Sequence, residues 1–220
     1  MSERALLEGL KSYICALVVI TLHEFGHAWM AWKRGDDTAR LLGRVTLNPL
    51  AHIDLIGTVV LPALAILLSA SGSGLSNFII GWGKPVPVNP ALLKIPRLDD
   101  IAVAMAGPAM NVLLAIVVMG IARLGYQMNQ EWLVEMCLRL AMISMFLCVF
   151  NLLPIPPLDG SHVVKNLVGM SDETYGKLSQ FGFVIVIMVL QIPALRSFLY
   201  RSTTGSLELI GALFQFPALA

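Results

Sequence analysis

Two histidines four residues apart, with a glutamate directly after the first, are the most chemically pointed feature of this chain: His23-Glu24-Phe25-Gly26-His27. On an α-helix, residues four apart share a face. Both imidazoles can therefore face one divalent ion, and the carboxylate at position 24 can reach a water held on it. Two nitrogen ligands and a general base at this spacing point to zinc-assisted hydrolysis of a peptide bond. The setting is apolar. Residues 12–22 carry no charge, and 28–32 continue apolar after the motif. Ionisable groups in hydrocarbon are costly unless something compensates them, and a bound cation would do so. Four matching residues in a soluble helix would be weak evidence. Three ionisable groups clustered on a membrane helix rarely serve packing alone.

A catalytic zinc usually takes three protein ligands and keeps one position open. The remaining donors are His52, His162 and the carboxylates. Asp36, Asp37, Asp99, Asp100, Asp172 and Glu173 fall in charged loop runs and read as solvated faces. His52 and Asp54 lie at the edge of an apolar segment and stay open as weaker candidates. Asp159 differs. It closes the stretch Asn151-Leu152-Leu153-Pro154-Ile155-Pro156-Pro157-Leu158-Asp159-Gly160, where three prolines break an apolar helix. Broken backbone at membrane depth is tolerated only when buried in protein or lining a wet cavity. Asp159 is therefore the favoured third ligand. His162, three residues on, reads as a supporting or an interfacial residue.

The elements that must position these groups are membrane helices. The chain has 220 residues, 57% of them hydrophobic and 13% charged, with a mean hydropathy of +0.77. That is too apolar for a soluble domain and excludes a soluble zinc peptidase. A net charge of +1 gives no basic field for nucleic acid. Cys15, Cys137 and Cys148 all fall in apolar runs, which argues against a disulfide framework. The first ten residues carry Glu3, Arg4 and Glu8 and do not resemble a cleaved signal peptide, so the first apolar helix is expected to target the chain. The expected fold is an all-α polytopic membrane protein with about five to six membrane-embedded helices and short extended or β segments at the membrane surface. One domain fills 1–220, with a core over 11–170 and C-terminal helices over 171–220. Spans are expected over 11–32, 101–124, 132–153 and 178–195. Residues 207–219 form a last span or an interfacial helix. Residues 55–70 are apolar but short for a crossing. A flexible turn is expected over 69–74. The prolines at 85, 87 and 90 exclude helix and favour an extended piece.

The H-E-x-x-H motif together with the Asn151–Gly160 run resembles the paired signature of the site-2 protease family of intramembrane zinc metalloproteases. Ala106-Gly107-Pro108-Ala109-Met110-Asn111 is similar to a third element of that family. The resemblance covers roughly residues 11–170. It implies zinc on His23, His27 and Asp159, with Glu24 as the base. It also implies Asn151 close to the scissile peptide and able to donate to the developing oxyanion. Asn111 would be a supporting polar group, with helix–helix hydrogen bonding as the equal alternative. The implied activity is cleavage in or near transmembrane segments of membrane protein substrates in the lipid bilayer. The implied location is the prokaryotic inner membrane, with the site nearer the cytoplasm. The run 85–90 and the region 44–47 would offer an edge for an extended substrate. No insertion of PDZ size and no CBS domain occur, so a minimal, core-only member is expected. The competing class is a non-proteolytic metal-binding scaffold or ion carrier, which would have no need of Glu24.

In the family core the two motif helices run parallel with one span between them. Here two apolar segments, 55–70 and 101–124, lie between. Either the first is re-entrant, returning through 78–82, or the parity differs. Re-entrance gathers Lys33, Arg34, Arg40, Arg44, Lys84, Lys94, Arg97 and Lys165 on one side, with Arg4, Lys11, Arg196 and Arg201 opposite. The positive-inside rule favours it, with the charged side cytoplasmic.

Overall fold

The computed structural model describes residues 3–70 and 81–216. The first helix, α1 (Glu3–Arg34), opens with Glu3 and closes with Lys33 and Arg34, charges that suit the helix dipole at each end. It stops at Gly35, whose φ of 109° is glycine's to adopt. The Asp36 N–H donates to Ala31 O and the Gly35 N–H to Trp32 O, the paired bonds of a Schellman cap. Thirty-two residues make a helix of about 48 Å, so its ends project beyond the hydrocarbon.

A short turn of helix, α2 (Thr38–Leu41), and a 3-10 turn (Pro49–Ala51) follow. Next comes a π-helical turn (Leu55–Val60), N-capped by Asp54 through Ile56 N (3.1 Å) and Gly57 N (2.7 Å). It continues as α3 (Leu61–Ala70). Gly9 of α1 packs against Ile66, so α3 runs down along α1. Beyond the gap in description the chain is back where it left: Trp82 N donates to Gly57 O at 3.1 Å, and Thr58 Oγ1 to Trp82 O at 2.7 Å. The turn expected over 69–74 and the return over 78–80 lie outside the described residues, apart from the helical backbone of 69 and 70.

The long helix α4 (Pro96–Gln127) runs antiparallel to α1, with Val103 beside His27 and Asn111 beside His23. The helix α5 (Glu131–Asn151) runs parallel to α1: Arg139 bonds Glu8 and Ser12, while Ser144 Oγ donates to Asn111 O at 2.8 Å. The motif helix and the helix leading to Asp159 are thus parallel, with α4 between. Among the described residues, α1, α4 and α5 are the three helices long and apolar enough to cross a membrane.

The expected span over 178–195 is instead broken. After α6 (Asp159–Leu167), α7 (Asp172–Gln180) and α8 (Gly182–Leu190) meet at a 56° bend, giving a fourth candidate span only if taken together. Gly182 stands against the Pro156 carbonyl, where a Cβ would collide, so the break seats α8 on the proline loop. The last helix, α9 (Pro193–Leu213), is longer than the segment expected over 207–219 and starts earlier; residues 217–220 lie outside the described residues. Its Leu199 packs with Leu153, Leu158 and Val186, and its Leu207 and Ile210 with Met119, Cys137 and Met145. Arg196 and Arg201 flank Leu199 and therefore lie toward the histidine-pair end, not the opposite one.

No strand occurs among the described residues. Residues 81–89 run without regular structure, since prolines at 85 and 87 remove two of the N–H donors a ladder needs.

Candidate metal centre

His23 and His27 are 5% and 8% exposed and look onto α4. The fit is set by absent side chains. A Cβ on Gly107 would collide with Nε2 of His27 and stand 2.7 Å from Cε1 of His23. A Cβ on Gly26 would stand 2.7 Å from the Ala106 carbonyl oxygen. Two glycines facing each other's helices bring α1 and α4 close, as small residues do in membrane bundles. Pro108 follows Gly107 and cannot donate to the turn behind it. The acceptor Pro108 leaves without a donor is the Ala104 carbonyl; beside it, the Val103 carbonyl accepts from His27 Nδ1 at 2.8 Å. An acceptor there puts the proton on Nδ1 and leaves Nε2 with a bare lone pair. Asn111, fully buried, lies 3.1 Å from His23 Nδ1. An amide can present oxygen or nitrogen to that atom, and a metal-holding His23 takes the oxygen on Nδ1–H.

Asp159 reaches the pair from α6. Two tight turns, Ile155 N to Leu153 O and Leu158 N to Ile155 O, both 2.8 Å, fold the proline loop back. Gly160 lies against the carbonyls of Leu152 and Leu153, where no Cβ fits. Asp159 Oδ2 then stands 3.3 Å from His23 Nε2 and Oδ1 3.4 Å from His27 Nε2, while the two Nε2 atoms are 3.0 Å apart. Two ligand atoms on a tetrahedral zinc with bonds of about 2.0–2.1 Å are about 3.3 Å apart. The Nε2–Nε2 distance and the two contacts to the carboxylate, one to each of its oxygens, lie close to that figure. Asp159 Oδ2 is buried with no hydrogen-bond donor. Electron pairs converging in a buried site repel one another unless a cation lies between them. The donor set therefore fits zinc. Among the described residues this is the one trio of His, Cys, Asp or Glu with atoms so placed.

Around Asp159, a buried network holds α6 to α4. Asp100 accepts from Asn166 Nδ2 at 2.6 Å and pairs with His162 at 3.3 Å and Lys165 at 3.5 Å. Lys165 also pairs with Asp172 at 2.7 Å. Partners outweigh burial and raise the Lys165 pKa above its usual value.

The other candidate ligands are accounted for. His52 is buried, with Nε2 on the Thr46 carbonyl at 2.9 Å. Asp54 caps its helix, and His162 pairs with Asp100. Three acids expected on solvated faces are buried, because each ties backbone or cation across elements. Asp36 accepts from Thr38 N and Asn89 N, Asp99 from Ile95 N with Arg34 beside it, and Asp100 as above. Asp37, Asp172 and Glu173 are exposed as expected. Asn151 ends α5 with Nδ2 donating to Leu147 O at 3.0 Å, leaving its second N–H. The cysteines are free and buried.

Glu24 Oε2 accepts from Val86 N at 3.1 Å. The run 84–89 offers little free edge, since Lys84 N bonds His52 O, Val86 N bonds Glu24 and Asn89 N bonds Asp36. Gly107, Val103 and Val86 are the site residues that sequence reasoning missed. Only Gly107 carried a signal, as part of the third family element.

The model of peptidase family M50 matches the chain in two overlapping pieces, residues 12–131 and 119–192. YwhC of Bacillus subtilis, described as a candidate zinc metalloprotease, is 34% identical over 92% of this chain and 91% of its own. Rip2 of Mycolicibacterium smegmatis, described likewise, is 30% identical over 93% of this chain and 73% of its own. Rip2 of Mycobacterium tuberculosis is 30% identical over 92% and 74%. No solved structure matches. Nothing in these comparisons supports a scaffold or carrier.

Proposed function

This chain belongs to peptidase family M50 and is an intramembrane zinc metalloprotease, and we propose that His23, His27 and Asp159 hold the zinc while Glu24 is its general base. The observation that carries the assignment is the convergence of ligand atoms from His23, His27 and Asp159, with Glu24 next to His23 in the chain. Zinc, when bound, supplies Lewis acidity toward the scissile carbonyl and acidifies water. Glu24 Oε1, not held by Val86, takes the proton from the attacking water and passes it to the leaving amine. The remaining Asn151 N–H donates to the carbonyl oxygen as charge develops there. Asn111 and the Val103 carbonyl hold the imidazoles in the tautomer that leaves both Nε2 atoms free.

The substrate is a transmembrane segment of another protein. An apolar cleft of about 720 Å³ between α1, α3 and α5, lined by Ala16, Ile20, Pro62, Ile66 and Phe146, supports lateral entry. Ile20 lies one turn before Glu24 on the same helix face. Residues 55–70 are the entering arm of a re-entrant segment. The contact of Trp82 with Gly57 supports this, as does a descent of about 24 Å for sixteen helical residues, short of the ~30 Å hydrocarbon core. The site faces the cytoplasm of a prokaryotic inner membrane. Of the fifteen lysines and arginines, all but Arg4, Lys11, Arg123 and Arg139 stand toward the histidine-pair end, which is the positive-inside pattern.

The test compares the membrane proteomes of parent and Glu24→Gln cells. A membrane fragment accumulating in the mutant supports the function. Identical fragment patterns together with equal cleavage by the purified variant overturn it.

A further inference from the structure

Among the described residues Glu24 is held not by a side chain but by one peptide unit, and the other end of that unit is gripped by a buried cation. The N–H of the Pro85–Val86 peptide donates to Glu24 Oε2 at 3.1 Å. The carbonyl of the same peptide accepts from Arg44 Nη1 at 3.3 Å, and Arg44 Nη2 donates to the preceding carbonyl, of Lys84. Pro85 and Pro87 have no N–H, so Val86 carries the single backbone donor of that run. Arg44 is 6% exposed, and among the described residues no carboxylate pairs with it directly. A buried guanidinium without a counter-charge is costly. Burial lowers the Arg44 pKa, and Glu24 is the charge that opposes this.

We propose that Arg44 is a positioning residue for the general base: it clamps the Lys84 and Pro85 carbonyls so that the Val86 N–H holds Glu24 Oε2 and leaves Oε1 for the reacting water. This rests on the reading of Glu24 as base. A cation at the carbonyl end polarises the peptide and strengthens its N–H as a donor. Several other ties fix the clamp. Lys84 N bonds His52 O at 2.9 Å, Asn89 N bonds Asp36 Oδ2 at 2.6 Å, and Trp82 is held at Gly57 and Thr58. Pro85 and Pro87 keep the run extended without help from a sheet. Among the described residues Arg44 bonds the Lys84 and Pro85 carbonyls and not His23, His27 or Asp159, so its removal should spare the metal.

The test uses the purified full-length chain in liposomes with a fluorogenic transmembrane peptide, reading kcat, KM and zinc per chain. Val86→Pro deletes the donor within a run already proline-rich, and Val86→Ala keeps it. Val86→Pro should fall about 10- to 100-fold in kcat below Val86→Ala, the scale of a misplaced catalytic group, with KM within about two-fold and zinc retained. Arg44→Gln should lose kcat similarly, and Arg44→Lys, which can reach one carbonyl but not both, should recover part of it. Both losses act through one peptide, so Arg44→Gln/Val86→Pro should be no slower than the slower single variant. Equal kcat for Val86→Pro and Val86→Ala overturns the proposal, as do multiplying losses in the double variant or zinc lost from Arg44→Gln. Should Val86→Pro fail to fold, Arg44→Gln against Arg44→Lys decides: parental kcat in Arg44→Gln overturns it. Activity in Glu24→Gln would instead sink the base assignment itself, a separate result.

Discussion

Gly107→Ala adds one methyl group at the point where α4 meets both imidazoles. That Cβ would overlap His27 Nε2 and lie 2.7 Å from His23 Cε1, where ordinary contact is about 3.5 Å. Either the rings or the α4 backbone must retreat by about 1 Å. Metal bonds tolerate displacements of only about 0.2 Å. Retreat is resisted, since Gly26 already meets the Ala106 carbonyl from the other side. Overpacking of this kind costs about 1–3 kcal/mol, which corresponds to zinc held about 5- to 150-fold more weakly. The assay is chelator competition on the purified chain, with zinc counted per protein. Gly205→Ala is the control: nothing lies within 4 Å of that position, and alanine favours a helix interior. Gly107→Ala retaining zinc as tightly as Gly205→Ala would refute the packing argument.

Asn111→Ala should weaken zinc about 10- to 100-fold, the usual effect of removing the partner of a metal-bound histidine, again read by chelator competition. Asp100→Asn leaves Lys165 with the exposed Asp172 alone and should lower the unfolding temperature by about 2–8 °C, the scale of one lost charged hydrogen bond, as scanning fluorimetry would show. A cysteine at Arg196 should be labelled from the same membrane side as one at Lys33 and from the opposite side to one at Arg123. Labelling of the Arg196 position together with Arg123 would contradict the assigned orientation of α9.

The candidate metal ligands could be picked out because their chemistry is written locally. His23 and His27 share a helix face by spacing alone, and three prolines before Asp159 announce a turn at membrane depth. Spans over α1, α4 and α5 followed from length and apolarity. What sequence left hidden depends on contacts between distant segments. Asp36, Asp99 and Asp100 look solvated in a charged run, yet each ties backbone or cation from another element: the Asn89 N–H, Arg34 and Lys165. The fold of 178–195 turns on Gly182 meeting Pro156, which hydropathy does not register. The grip on Glu24 is backbone from 62 residues away, and a backbone N–H has no sequence signature.

X-ray absorption at the zinc edge on the purified chain tests the central claim most directly. The account predicts about four nitrogen or oxygen neighbours at about 2.0–2.1 Å, two of them imidazoles, and loss of one imidazole in His27→Ala. A sulfur neighbour at about 2.3 Å, or an unchanged zinc environment in both His27→Ala and Asp159→Ala, would contradict it.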